Sequence, residues 1–291
     1  HKIENKDIGD ELHQALIKRG WESSYNSSLE FPAKSSIKVF VVNDTIATLY
    51  SALTARGNKR SSYVSFILGT GLNAAYIEED AYLFKGEPNI IVLEAGAFDK
   101  IQGSDFDKQV VAESEEGATH LLEKMCSARY MGCLAKKILE RLNQDDLISN
   151  SFIAFLNKNS MYDNNLWEFF NNFIEQFDKH SKNEFVIDNS KSLVSHQDAI
   201  TIHYVLDCLI RRSCNISSAI ISAICIKNKR RNTKDTPISI AIEGSTILRT
   251  HNMLSLLKEK LEEHLLKKHS LYFQIERCEN ATLIGSAIAV L

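Results

Sequence analysis

Two apolar runs that end abruptly in polar or glycine residues constrain the fold of this chain most strongly. The first, over residues 37–42, ends in Asn43 and Asp44, and the second, over 62–68, ends in Gly69-Thr70-Gly71. Short apolar runs predict buried strands, and open α/β sheets build their ligand sites where such strands end. We therefore expect one sheet edge to carry a carboxylate, an amide and a phosphate-binding turn. This combination indicates phosphoryl transfer to a hydroxyl group.

The remaining pattern predicts a layered α/β domain. Residues 72–77 alternate as a hairpin partner of the second strand, and further strands are predicted over 89–93, 238–242 and 271–276. Helical periodicity is found over 8–19, 43–55, 117–142, 196–226, 252–267 and near the C-terminus, with further helices expected between 144 and 190. Strands followed by helices, with polar and glycine residues at strand ends, favour this architecture.

Composition narrows the class of protein. The 291 residues are 44% hydrophobic, enough for one large domain or two smaller ones, and the net charge of −3 points to no nucleic-acid partner. We expect no membrane span, because no apolar run looks long enough. The six cysteines form no CxxC pair or metal-like cluster, so we interpret them as reduced core residues of a cytoplasmic protein.

Asp44 is the main catalytic candidate. A carboxylate beside an amide can accept the proton of an attacking hydroxyl. The alternative is a helix N-cap, because Asn, Asp and Thr are all favoured there. Both hold together if Asn43 or Thr45 caps the helix while Asp44 faces a cleft.

Glycine turns form a second group of candidates. Gly69-Thr70-Gly71 allows close approach of a phosphate, although it also fits a plain hairpin turn, and the chain contains no Walker GxxxxGK[ST] loop. Glu243-Gly244-Ser245, after the run 238–242, is a second strand-end turn that fits either a nucleotide contact or a simple connection.

Glu94 and Glu123 are carboxylates in apolar or glycine-rich surroundings, which suits binding of sugar hydroxyl groups. The alternative for Glu123 is an exposed helix position paired with Lys124 or a neighbour. For Ser218, inside the long apolar helix, the default is a bond back to a carbonyl one turn earlier.

Five segments, in one order, resemble the hexokinase family. They are Val42-Asn43-Asp44-Thr45 (VNDT in the family), 68–74 (its second phosphate loop), 94–98 (EWGAF), 123–132 (FEKMxSGxYMGE) and 241–245 (GVDGS). The resemblance covers nearly the whole chain and is weakest over 144–195. It implies that residues 1–291 are the large, C-terminal hexokinase domain, an actin-like ATPase (ribonuclease-H-like) fold with a mixed sheet flanked by helices. The small N-terminal domain, with the first phosphate loop, would lie outside this chain.

The resemblance also implies roles. The reaction would be ATP-dependent phosphorylation of a hexose, most of all glucose, at its 6-hydroxyl, the first step of glycolysis, with Mg²⁺ bound to the ATP. Asp44 would be the general base, and the sugar's other hydroxyls would bind Asn43, Asn73, Glu94 and Glu123. The nucleotide would contact Gly69, Thr70, Gly71, Ser218, Gly244 and Ser245.

Several residues depart from the family pattern. The upstream DxGGTN-type and TKG segments are absent from this chain, so we expect it to be a poor catalyst alone. Ala95 replaces a tryptophan, Cys133 an acidic residue and Glu243 an aspartate, and Leu283 and Ile284 replace part of a glycine-rich turn. These departures leave two alternatives open. One is a catalytically impaired sugar sensor or regulatory protein, and the other is a kinase for a modified hexose such as N-acetylglucosamine. The oligomeric state cannot be inferred from the sequence.

Overall fold

A computed structural model describes residues 7–19, 39–53, 59–78, 89–158, 164–179, 194–277 and 280–289. Its strands are β1 (Ser62–Leu68), β2 (Leu72–Glu78), β3 (Asn89–Val92), β4 (Ile238–Glu243) and β5 (Phe273–Arg277), and they form one sheet in the order β3-β2-β1-β4-β5. The pairs β1–β2 and β2–β3 are antiparallel, whereas β1–β4 and β4–β5 are parallel. The predicted mixed sheet is confirmed.

The two central strands position the site. Each of β1 and β4 has a neighbouring strand on both sides. The side chains of β1 and β4 are largely buried, which explains why the two strands are nearly continuous apolar runs in the sequence. They pair in parallel register, with Ile67 opposite Glu243. The turn after β1 and the turn after β4 therefore emerge side by side at one edge of the sheet.

The chain also forms helices, some of which pack against this sheet. They are α1 (Ile8–Lys18), α2 (Asp44–Leu53), α3 (Asp105–Glu113), α4 (Leu121–Lys124), α5 (Ala128–Gln144), α6 (Asn150–Lys158), α7 (Asn164–Lys179), α8 (His196–Lys227), α9 (Ser245–Arg249), α10 (Met253–Leu261) and α11 (Ala281–Ile288). A short 3₁₀ turn spans Ala95–Ala97, and α10 runs on into a π-helical segment, Glu262–Lys267. Helix α11 crosses α2 so closely that a Cβ on Gly285 would lie 1.7 Å from the carbonyl oxygen of Ala47. Only glycine fits this crossing.

Helix α8 corrects one expectation from the sequence. It is long and apolar enough to cross a membrane by length and composition, contrary to the prediction that no run has that property. Within this fold, 61% of its most apolar window is buried, as is common for a core helix of a soluble protein. Of its three cysteines, Cys214 and Cys225 are buried as predicted, and burial raises the pKa of each thiol to about 12. Cys208 is exposed, so the prediction of a core cysteine is wrong there.

The predicted strand over 37–42 is wrong for the part that the structure describes. Residues 39–43 have no regular secondary structure, and Phe40 and Val41 are 52% and 68% exposed. An apolar run becomes a strand only when another strand supplies its hydrogen bonds, and none of the described strands pairs with this segment. Residues 37 and 38 lie outside the described residues.

One predicted helix is divided in two, and another is confirmed but lies on the surface. The region predicted as one helix over 117–142 contains α4 and α5, separated at Ser127, whose extended backbone (φ −83°, ψ 153°) begins α5. The amphipathic helix predicted over 8–19 is confirmed as α1, but none of its residues is buried.

Candidate functional site

A cavity of about 360 Å³ opens where β1 ends and α2 begins. Most of the residues nominated from the sequence line it, namely Asn43, Asp44, Gly69, Thr70, Gly71, Asn73, Glu94 and Glu123. These residues come from four separate segments of the chain. We call this cavity the cleft.

Asp44 is the first residue of α2, and its neighbours fix its position. Asn43 caps the helix, because its Oδ1 accepts from the backbone N–H of Thr45 at 2.9 Å and of Ile46 at 3.3 Å. Asp44 Oδ1 accepts from the Thr45 N–H at 2.7 Å and from the Thr45 hydroxyl at 3.1 Å. No described residue donates to Asp44 Oδ2, so this oxygen is available to a ligand. The cap and the cleft-facing carboxylate are therefore both present.

Glu123 is held at the back of the cleft by the main chain. Its Oε2 accepts from the backbone N–H of Leu72 at 2.9 Å. The predicted alternative, a pairing with Lys124, is wrong. Lys124 is buried and donates instead to the carbonyl of Thr119 at 2.6 Å, with Glu116 Oε2 at 3.6 Å. Glu123 therefore presents a half-buried carboxylate to the cavity.

Asn73 and Glu94 form a polar pair on another wall. Asn73 Nδ2 donates to Glu94 Oε1 at 3.0 Å, while Asn73 Oδ1 accepts from the N–H of Ala74 at 2.8 Å. Glu94 adopts a left-handed backbone conformation (φ 49°), which is uncommon for glutamate and concentrates at functional sites. Ala95, at the position of the family's tryptophan, is buried behind it.

Gly69-Thr70-Gly71, the candidate phosphate turn, closes the β1–β2 hairpin, as the alternative predicted, and it also lines the cleft. The N–H of Gly69 donates to the carbonyl of Gly71 at 2.9 Å, and Thr70 at the tip is exposed. The turn after β4 packs directly against it. The hydroxyl of Thr246 donates to the carbonyl of Gly69 at 2.6 Å.

Gly244 is required at this contact. Its φ is +110°, and a Cβ there would lie 2.3 Å from the carbonyl oxygen of Leu68. Gly244 and Ser245 thus adjoin the phosphate turn without lining the cleft itself.

Ser218 is not brought to the cleft. It is fully buried, and its hydroxyl donates to the carbonyl of Asn215 at 3.0 Å, within its own helix. This is the back-bonded arrangement that the sequence made the default.

Besides the apolar Ile67 and Leu72, one polar residue of the cleft is missed by the sequence reasoning. His120 lines the cavity, is exposed and has a left-handed backbone (φ 52°) immediately before α4. Its nearness in sequence to Glu123 is the only signal that could have indicated it.

Comparisons with known proteins show which family this chain resembles. The family model described as Hexokinase matches residues 63–291, a range that begins after Asp44. Hexokinase-1 of Mus musculus is 27% identical over 265 residues, covering 84% of this chain and 24% of the relative. The chain therefore spans about a quarter of the length of that relative.

Solved structures share the fold. A hexokinase from Schistosoma mansoni complexed with glucose superposes with a TM-score of 0.70 at 20% identity, covering 99% of this chain and 62% of that one. A ROK family glucokinase from Streptomyces griseus, in complex with glucose and AMPPNP, gives 0.50 at 14% identity, covering 87% of this chain and 68% of that one. With the family model matching most of its length, the chain belongs to the hexokinase family.

Proposed function

We propose that this chain is the large-domain portion of an ATP-dependent hexose kinase that phosphorylates glucose at its 6-hydroxyl. The cleft carries the proposal, because it gathers a base candidate, four sugar-binding candidates and a candidate phosphate turn around one cavity. Membership of the hexokinase family supports sugar phosphorylation. The first step of glycolysis and a cytoplasmic location belong to the same proposal.

In this reaction Asp44 is the general base. Its open Oδ2 would accept the proton of the 6-hydroxyl as that oxygen attacks the terminal phosphate. Asn43, Asn73, Glu94 and Glu123 would hold the remaining hydroxyls, so that the reacting oxygen stays aligned. Binding and alignment supply most of the catalysis, because the phosphoryl group itself needs no covalent help.

The nucleotide would lie on the side of the phosphate turn. The Thr70 hydroxyl and nearby backbone N–H groups would donate to its phosphates, with Gly244 and Ser245 beside them. The Streptomyces glucokinase of similar fold is complexed with AMPPNP, which supports a nucleotide as a ligand of this chain. Mg²⁺ would arrive with the nucleotide, whose charge it neutralises.

A sugar sensor that has lost catalysis is the second candidate. The observation in its favour is on α11, where Leu283 and Ile284 are 73% and 47% exposed at the place of the family's glycine-rich turn. Such side chains offer a nucleotide little polar contact. In a sensor, the cleft would bind sugar without transferring phosphate.

An ADP-release assay separates the two functions. It uses the polypeptide extended upstream to include the first phosphate segment, with Mg-ATP and a panel of hexoses that includes N-acetylglucosamine. Asp44→Ala should abolish the sugar-dependent signal. The matched control is Asp235→Ala, an exposed aspartate in the turn before β4, at the opposite end of the sheet, and it should leave the signal intact. Sugar binding without ADP release in the parent would support the sensor.

A further inference from the structure

Glu243 joins two helices that lie at opposite ends of the sequence. It is the last residue of β4, and its Oε2 accepts from the hydroxyl of Thr48 on α2 at 2.7 Å and from the hydroxyl of Thr282 on α11 at 3.0 Å. One carboxylate oxygen thus holds both helices to the end of a central strand.

In the bonds from Thr48 and Thr282, only the acceptor, the Glu243 carboxylate, is charged. Among the described residues, no lysine, arginine or histidine forms an ion pair with Glu243. Hydroxyl groups are therefore its partners, and bonds from neutral donors to a carboxylate are stronger than bonds between neutral groups. Thr48 is fully buried, so water does not compete for its side of the bond.

Thr48 connects this carboxylate to the base candidate. It lies one helical turn after Asp44, and its hydroxyl is also 3.0 Å from the backbone carbonyl oxygen of Asp44. A hydroxyl has one proton to donate, and the shorter bond to a charged acceptor is favoured. Without Glu243 that proton would turn to the Asp44 carbonyl. The first turn of α2 would then keep its bond from the Ser65 hydroxyl on β1 to the Thr45 carbonyl, at 2.8 Å, but would lose its link to the end of β4.

The next residue connects Glu243 to the phosphate turn. Gly244 packs against the end of β1, with its Cα near Gly69. Glu243 therefore stands between the helix that carries Asp44 and the turn that faces the phosphates. Replacing this carboxylate should therefore alter the distance between Asp44 and the Gly69-Thr70-Gly71 turn.

We propose that Glu243 is a positioning residue that sets Asp44 relative to the phosphate turn through Thr48, an inference that rests on the proposed kinase function. A displacement of about 1 Å can cost on the order of 100-fold in rate. Glu243 does not line the cleft. Replacing it should therefore lower the turnover rate and leave sugar binding little changed.

Kinetics of the extended polypeptide test the proposal. Glu243→Ala and Thr48→Val should each lower kcat by about 10- to 100-fold and change the KM for sugar by less than about threefold. The double variant should be no slower than the slower single one, because both remove the same link. The control is Thr201→Val on α8, whose hydroxyl bonds only back to the carbonyl of Gln197 at 3.1 Å, and it should match the parent. Independent losses that multiply in the double variant would overturn the proposal.

Amide hydrogen exchange gives a readout that needs no catalysis. In the chain carrying Glu243→Ala, exchange should accelerate in α2 and α11 but not in α5, and Glu243→Gln, which keeps an acceptor oxygen, should show a smaller change. Unchanged protection of α2 in both variants would overturn the positioning role. If the parent shows no sugar-dependent ADP release, the proposed function fails, and the exchange comparison still decides whether Glu243 holds α2.

Discussion

Replacing Asp107 with alanine is expected to destabilise the region that holds Glu123. Asp107 lies on α3 with its side chain 7% exposed, and both of its oxygens accept from Arg212 Nη1 on α8, at 2.9 and 3.0 Å. Arg212 Nη2 donates to the carbonyl of Met125 at 2.7 Å, two residues beyond Glu123. Asp107 also closes a capping box with Ser104 at the start of α3.

The size of the effect follows from these contacts. Breaking a fully buried ion pair costs about 3–5 kcal/mol, because a charge is left unpaired. The Arg212 side chain is 27% exposed, so we reduce this cost to about 2–4 kcal/mol. Loss of the cap adds about 1 kcal/mol. The total of about 3–5 kcal/mol is a large part of the roughly 5–15 kcal/mol that stabilises a typical protein.

Thermal and urea unfolding measure this directly. Asp107→Ala should lower Tm by on the order of 10 °C. The control is Asp105→Ala, in the same helical turn, whose pair with Lys108 is almost fully exposed and whose loss should leave Tm nearly unchanged. Adding Arg212→Met to Asp107→Ala removes the unpaired charge, so the double variant should unfold above Asp107→Ala. An Asp107→Ala protein that melts with the parent would refute this reasoning.

Three further predictions concern the cleft and the acid stability of the fold. In the extended polypeptide, Asp44→Asn should lower kcat by about 10²- to 10⁴-fold with sugar affinity little changed, as measured by initial rates and calorimetry. Glu123→Gln should weaken sugar binding about tenfold, because a charged acceptor becomes neutral; calorimetry with glucose measures this. Burial works to raise the pKa of Asp198, but hydrogen bonds from Ser149 and Ser195 outweigh it and lower that pKa. The stability that Asp198 contributes is therefore complete above its unfolded pKa of about 4 and is lost as pH falls through the lower folded pKa. Tm measured against pH should consequently fall less steeply at acid pH in Asp198→Asn than in the parent.

The strands were predictable because their information is local. The runs over 62–68 and 238–242 and the alternation over 72–77 match β1, β4 and β2 to within a residue. Each is bounded by a glycine turn or a charged segment, and each has a partner in the sheet. The run over 37–42 carries the same local pattern, but nothing in its own sequence shows that the described sheet has no place for it.

What the sequence could not supply depends on contacts between distant residues. Nothing near Glu243 shows that its carboxylate meets hydroxyl groups of Thr48 and Thr282, and the sequence marked it only as a departure from the family. Likewise, His120 lines the cleft and itself has the left-handed backbone that precedes α4, which no local pattern in the sequence indicated. The family resemblance was enough to propose which side chains lie in the cleft. Those of their hydrogen-bond partners that are far away in the sequence are seen only in the folded structure.

Two of the cleft's carboxylates, Glu123 and Asp44, differ in what a sugar sensor would need from them. Glu123 has a structural task, because it accepts the N–H of Leu72 and so secures the β1–β2 hairpin whether or not phosphate is transferred. Asp44 is exposed, and its Oδ1 makes only bonds to the next residue, Thr45. A protein that only binds sugar gains little stability from such a side chain, since exposed polar groups contribute little to folding. The presence of Asp44, with Oδ2 directed to no described partner, therefore favours the kinase over the sensor, and Asp44→Ala is the substitution that separates them.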